Sequence, residues 1–142
     1  LPITLALLAL CALSGGTARA MVDDSRSYAL EAATPYIEEG FSMRYEFWDG
    51  KIKNGEQKLV RHQLFKGNEY WFWAATDILE AKIAIHAYDE NGDLVEAESW
   101  QKGNVAAVRV TPQKTGTYFL MITVREVPED TEATWTVAYA YR

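Results

Sequence analysis

Ala81-Lys82-Ile83-Ala84-Ile85-His86-Ala87-Tyr88-Asp89-Glu90-Asn91-Gly92-Asp93-Leu94-Val95 decides the fold class. Ala81, Ile83, Ile85 and Ala87 share one phase of a two-residue period; Lys82, Ala84, His86 and Tyr88 share the other. Alternation of this kind describes a strand with one buried face, because strand side chains point to opposite faces in turn. Asn91-Gly92 follows, the dipeptide best suited to the positive-φ positions of a tight hairpin turn. The pattern predicts a hairpin in which 94–100 returns alongside 82–88.

The same period governs the chain on both sides. Downstream, 105–110 reads as a strand with Arg109 facing out between Val108 and Val110. Thr115-Gly116 then leads into a strand with Tyr118, Leu120, Ile122 and Val124 on one face. The last strand places Trp135, Val137, Tyr139 and Tyr141 on one face and the small residues Thr134, Thr136, Ala138 and Ala140 on the other. Upstream, Tyr70-Trp71-Phe72-Trp73-Ala74-Ala75 is apolar on both faces, and 59–65 ends at Lys66-Gly67-Asn68. Phe41, Met43, Tyr45 and Phe47 alternate with Ser42, Arg44, Glu46 and Trp48. Asp49-Gly50 and Asn54-Gly55 read as turns bracketing Lys51-Ile52-Lys53. About eight short strands separated by turn signals give an all-β, antiparallel sandwich or barrel over 41–142. Strands do not alternate with helices, which argues against a parallel sheet.

The first forty residues follow other rules. Residues 1–13 are almost wholly apolar, Ser14-Gly15-Gly16-Thr17 is small and polar, and Ala18-Arg19-Ala20 is a small-x-small cleavage pattern. Residues 1–20 are therefore expected to be a signal peptide, with its basic start upstream of Leu1, cleaved near Ala20. The run is too short to span a bilayer, so the mature chain is expected in the periplasm or outside the cell, without membrane insertion. Cleavage removes Cys11, and the mature chain then has neither a disulfide nor thiol chemistry. Segment 21–40 reads as helical. Asp23, Asp24 and Ser25 are N-cap types, Thr34-Pro35 suggests that a second short helix starts there, and Gly40 suits a C′ position.

The 142-residue chain carries a formal charge of −6 with its basic residues dispersed, which argues against nucleic acid and anionic lipid as partners. Five Trp, eight Tyr and five Phe, all beyond Ala20, exclude disorder and favour β-structure.

Three stretches resemble the bacterial pre-peptidase C-terminal domain. Leu64-Phe65-Lys66-Gly67-Asn68-Glu69-Tyr70-Trp71-Phe72 is similar to that family's entry into a core strand. The segment from Ile85 through Tyr88-Asp89-Glu90-Asn91-Gly92-Asp93-Leu94-Val95 is similar to its hairpin. Val110-Thr111-Pro112-Gln113-Lys114-Thr115-Gly116-Thr117-Tyr118-Phe119-Leu120 is similar to its Gly-Thr-Tyr strand. The resemblance runs over about 50–141. It implies a jelly-roll-like sandwich and an accessory role beside secreted hydrolases, in secretion or substrate binding. Segment 24–39 lies outside the pattern, and no catalytic domain precedes it in this sequence.

The candidate sites are aromatic and acidic. Trp71 and Trp73 share one strand face. They either form an exposed stacking platform for sugars or peptides, or lie under the N-terminal helical segment; the covered reading is preferred, since those helices need an apolar surface to dock on. Trp48 and Trp100 lie at strand ends, where aromatics are more often exposed. Asp89, Asn91 and Asp93 have calcium-like alternate spacing, but the glycine is misplaced for an EF-hand loop and a plain hairpin turn accounts for the same residues. No cofactor is expected, with calcium the disfavoured exception. His62 and His86 show no metal-ligand spacing, and no nucleophile motif occurs, so an enzyme is not expected. The sequence points to an exported, non-catalytic module that contacts a polysaccharide or a protein partner. The alternatives are a structural or assembly protein of the envelope, and a calcium-stabilised accessory domain.

Overall fold

A computed structural model describes residues 24–142. The expected signal peptide and the Asp23 cap lie outside the described residues. One helix, α1 (Asp24–Glu38), precedes eight strands: β1 (Ser42–Lys53), β2 (Gln57–Leu64), β3 (Tyr70–Thr76), β4 (Lys82–Tyr88), β5 (Glu98–Lys102), β6 (Val105–Val110), β7 (Gly116–Arg125) and β8 (Glu132–Tyr141). Every ladder is antiparallel. The strands form two sheets, in the orders β1-β8-β3-β6-β5 and β2-β7-β4. The fold is an all-β antiparallel sandwich.

The pairings β1 with β8, β2 with β7 and β3 with β6 nest inside one another, which is the winding of a jelly roll. A complete nest would pair β4 with β5. Here only Tyr88 and Leu94 bridge, and the chain then crosses to the other sheet, where β5 pairs with β6. The hairpin expected to return through 94–100 is thus cut to one bridge at its Asn91-Gly92 turn. The crossing follows from composition: Glu96, Ala97 and Glu98 offer little apolar surface to hold the chain beside β4.

Two apolar clusters result. The inner one lies between the sheets and includes Ile52, Phe72, Ile83, Val108, Leu120, Ile122 and Val137. The outer one lies between the larger sheet and α1. It joins Trp71, Trp73, Ala107, Ala138 and Ala140 to Ala29, Ala33 and Phe41. Alanines on both surfaces let the helix approach closely, and the indoles fill the remaining space. Ser25 and Thr136, both buried, bond hydroxyl to hydroxyl at 2.6 Å across this contact.

Two local expectations change, and one strand face finds its partner. Residues 24–38 form one helix, not two, and Pro35 sits within its last turns. Packing outweighs the missing N–H: the Tyr36 ring lies 4.7 Å from Trp71 and 5.3 Å from Trp73, centroid to centroid. The helix end is also locked by a Schellman motif. Gly40 N–H bonds Ile37 C=O, Phe41 N–H bonds Tyr36 C=O, and the Phe41 ring meets Tyr36 edge-on. Asp49-Gly50 is not a turn; both residues lie within β1. Gly50 pairs with Trp135, whose indole covers it so closely that a Cβ there would lie 3.1 Å from Nε1. Finally, the apolar alternation of Phe41, Met43 and Phe47 points to the helix, not to the inner core, and Tyr45 is 85% exposed.

Candidate functional site

β1 follows β8 in regular register from Ser42 to Arg44, which sits opposite Tyr139; the next aligned residue is Trp48, opposite Val137. Four steps on β1 thus match two on β8. This bulge preserves parity, so Arg44 and Trp48 both face the inter-sheet side while Tyr45 is thrown out. Bulged away from the core, the edge strand leaves the sandwich open there.

The opening is a groove of about 380 Å³ lined by Arg44, Glu46, His62, Tyr70, Tyr139 and Tyr141, with Gln63, Phe65 and Asn68 at its end. Its rings form a continuous set. Tyr139 stacks on Phe72 at 5.5 Å, and Tyr70 lies 6.2 Å from Phe72 and 6.4 Å from Tyr141. His62 meets Tyr139 at 5.1 Å and Trp48 at 5.0 Å, both edge-on. Trp48 itself lies 5.4 Å from Tyr139, so it buttresses the groove from behind. The Arg44 guanidinium lies over the Tyr141 ring, 5.6 Å from its centroid.

The polar groups are tied to these rings. His62 Nε2 and Tyr139 Oη are 3.1 Å apart. Burial pushes the His62 imidazole below its usual pKa, so it is neutral at pH 7. Burial pushes the Tyr139 phenol up, while Arg44, facing that hydroxyl, is raised by it. Tyr70 is 4% exposed, and its Oη accepts hydrogen bonds from Phe65 N–H at 3.0 Å and Asn68 Nδ2 at 3.1 Å. The Gly67 turn that brings this loop back onto Tyr70 has φ +97°, which suits glycine.

A second groove, also about 380 Å³, lies between the Asn91-Gly92 turn and the 111–117 loop. Several of its polar groups are engaged within the protein. Glu90 Oε1 accepts Thr117 N–H at 2.9 Å, Tyr118 Oη donates to Lys114 C=O at 2.6 Å, and Glu96 Oε1 lies 2.7 Å from His86 Nδ1. Tyr118 is the one aromatic ring in its lining, and the aromatic-rich β1–β2 groove is the better candidate.

The residues singled out from sequence scatter. Trp71 (3% exposed) and Trp73 (0%) are buried under α1, so their face is covered and cannot serve as a platform. The reading in which the N-terminal segment covers that face is the observed one. Trp100 is half-buried beside α1, and its Nε1 donates to Tyr36 Oη at 2.9 Å. Of the four tryptophans, Trp48 alone adjoins the groove. Asp89 Oδ1 accepts N–H bonds from Asn91 (2.9 Å) and Asp93 (3.0 Å), the geometry of a side-chain-closed turn. Among the described residues, no cluster of three or more His, Cys, Asp or Glu is placed to hold a metal ion.

Arg44, His62, Tyr70, Tyr139 and Tyr141 were not singled out as site residues from sequence. One signal was available: Tyr139 and Tyr141 share the apolar phase of a terminal strand, and the phase they face on 41–48 carries Arg44 and Glu46. No protein-family model matches this chain, and no curated protein matches it.

Proposed function

We propose that this chain is an exported, non-catalytic β-sandwich that binds a polysaccharide in the β1–β2 groove. The observation that carries the reading is the groove itself. Aromatic faces alternate there with a guanidinium, an imidazole and phenolic hydroxyls, at an edge of the sandwich where an extended chain can pass. Sugar rings need this mixture: apolar C–H faces to lie on aromatics, and hydroxyls to meet fixed hydrogen-bonding groups. The similarity of three segments to the pre-peptidase C-terminal domain belongs to the same proposal, because an accessory domain beside secreted hydrolases suits polymer binding. Export rests on the pattern of 1–20, and N-terminal sequencing of protein secreted by a bacterial host should begin at Met21.

Glycan-array binding followed by titration calorimetry tests the site. Tyr141→Ala removes a lining ring and should cost most of the affinity. Trp48→Ala loosens His62 and Tyr139 and should weaken binding less. Unchanged affinity in both folded variants, or an array without any bound glycan, would refute the reading.

A further inference from the structure

The donors and acceptors of the groove do not balance. Arg44 has only donors to offer and makes no salt bridge among the described residues. Tyr70 is the sharper case. Its buried oxygen already accepts two hydrogen bonds, from Phe65 and Asn68, so its own proton is left over; no acceptor for it exists among the described residues. Tyr139 adds to the imbalance. An arginine facing its hydroxyl can only donate, so the phenol donates its hydrogen bond to His62 Nε2, 3.1 Å away, and the neutral imidazole carries its one proton on Nδ1. The one carboxylate lining the groove, Glu46, is exposed on the bulge at the rim. Buried polar groups in native proteins find partners, and a leftover O–H lining a groove, beside a guanidinium that makes no salt bridge among the described residues, calls for an acceptor carried by the ligand.

We propose, resting on the glycan-binding reading above, that the groove selects an acidic saccharide and holds a hexuronate carboxylate with Arg44 and the Tyr70 hydroxyl. Tyr139 and Tyr141 carry the sugar faces, and Glu46 at the rim accepts hydroxyls of the neighbouring ring. Arginine suits the task because its planar fork meets both carboxylate oxygens at once.

The test is calorimetric titration of the full chain with a panel of hexuronate oligomers and with the same oligomers methyl-esterified on every carboxyl. The unmodified chain should bind at least one acidic oligomer about tenfold or more tightly than its ester, and this preference should shrink as salt rises. Arg44→Gln, a change at an exposed position, should abolish the preference without moving the melting temperature. Arg44→Lys should restore part of it. Tyr70→Phe, if its melting curve shows it folded, should lose several-fold on acidic oligomers.

Equal affinity for acid and ester overturns this proposal and leaves glycan binding standing. A preference that survives Arg44→Gln also overturns it. Failure to bind either form, with an array that is empty for neutral glycans too, removes the glycan-binding reading along with it.

Discussion

Trp73→Ala separates a buried indole from an exposed platform, because the two assign different costs to the same truncation. Trp73 has 0% of its surface exposed and lies among Trp71, Tyr36, Ala107 and Ala138, with the Trp71 ring stacked at 6.5 Å. Truncating such a residue forfeits its transfer energy and leaves a cavity between a helix and a sheet that collapse only partly, a cost of about 3–5 kcal/mol. A domain of this size has a total stability on the order of 6–18 kcal/mol. With a urea slope of about 2 kcal/mol/M, the unfolding midpoint should fall by about 2 M. Trp73→Phe sharpens the test. Nε1 of Trp73 is buried without a hydrogen-bond partner among the described residues, a penalty of about 1–3 kcal/mol that phenylalanine removes. The phenylalanine variant should therefore lose much less than its missing volume alone implies. Urea unfolding followed by far-ultraviolet circular dichroism reads both. A midpoint for Trp73→Ala within about 0.5 kcal/mol of the parent, the size of an ordinary surface change, would refute the covered face and reinstate a platform.

Other consequences follow from the same geometry. Gly50→Ala places a methyl 3.1 Å from the Trp135 indole, forces that ring to shift, and should cost about 1–3 kcal/mol in thermal unfolding. Burial holds folded His62 below its unfolded pKa, so the unfolded chain takes up the proton first. Its contribution is complete above that unfolded pKa of about 6.5 and declines as pH falls through it toward the folded value. Urea titrations between pH 8 and pH 5 should show this loss, and His62→Asn should flatten it. Asp89→Ala removes the acceptor for two turn N–H groups and should cost about 0.5–2 kcal/mol, as loss of a helix cap does. Calcium should leave the parent's melting temperature unmoved; a rise with calcium concentration would return Asp89, Asn91 and Asp93 to consideration as ligands.

The strands were legible because most have a period of two, and the inward face of β7 follows from it: Tyr118, Leu120, Ile122 and Val124 all join the inner cluster. Three features were not legible, each for a physical reason. Gly50 resembles a turn in sequence because the indole that explains it, Trp135, is 85 residues away along the chain. Pro35 resembles a helix start because nothing local shows that Tyr36 is clamped by Trp71 and Trp73. The groove was hidden because a bulge breaks no sequence rule. The alternation from Phe41 to Trp48 reads as one unbroken strand, yet β8 registers only part of it. Periodicity sees which side a residue faces, whereas register decides what it faces, and register is a property of two strands.

The aromatic excess then has two explanations, and they are separable. One set, Trp71, Trp73, Tyr36 and Phe41, cements a helix to a sheet whose buried surface there is otherwise Ala75, Ala107, Ala138 and Ala140, and it needs no ligand. The second set, Tyr70, Tyr139, Tyr141 and His62, sits where packing alone would favour closure. A sheet edge needs protection against pairing with other chains, and a charged bulge provides that. Edge protection accounts for Arg44, Tyr45 and Glu46. It does not account for a tyrosine, 4% exposed, whose hydroxyl is held by Phe65 and Asn68 so that its proton remains unspent. A core built only for stability would have placed phenylalanine at position 70, at no loss of apolar contact and without a polar group to satisfy. The loop would then lose the acceptor that fixes it, so Tyr70 has one structural duty. The loop consumes only the oxygen's lone pairs, however, and the proton is what the groove retains for a ligand.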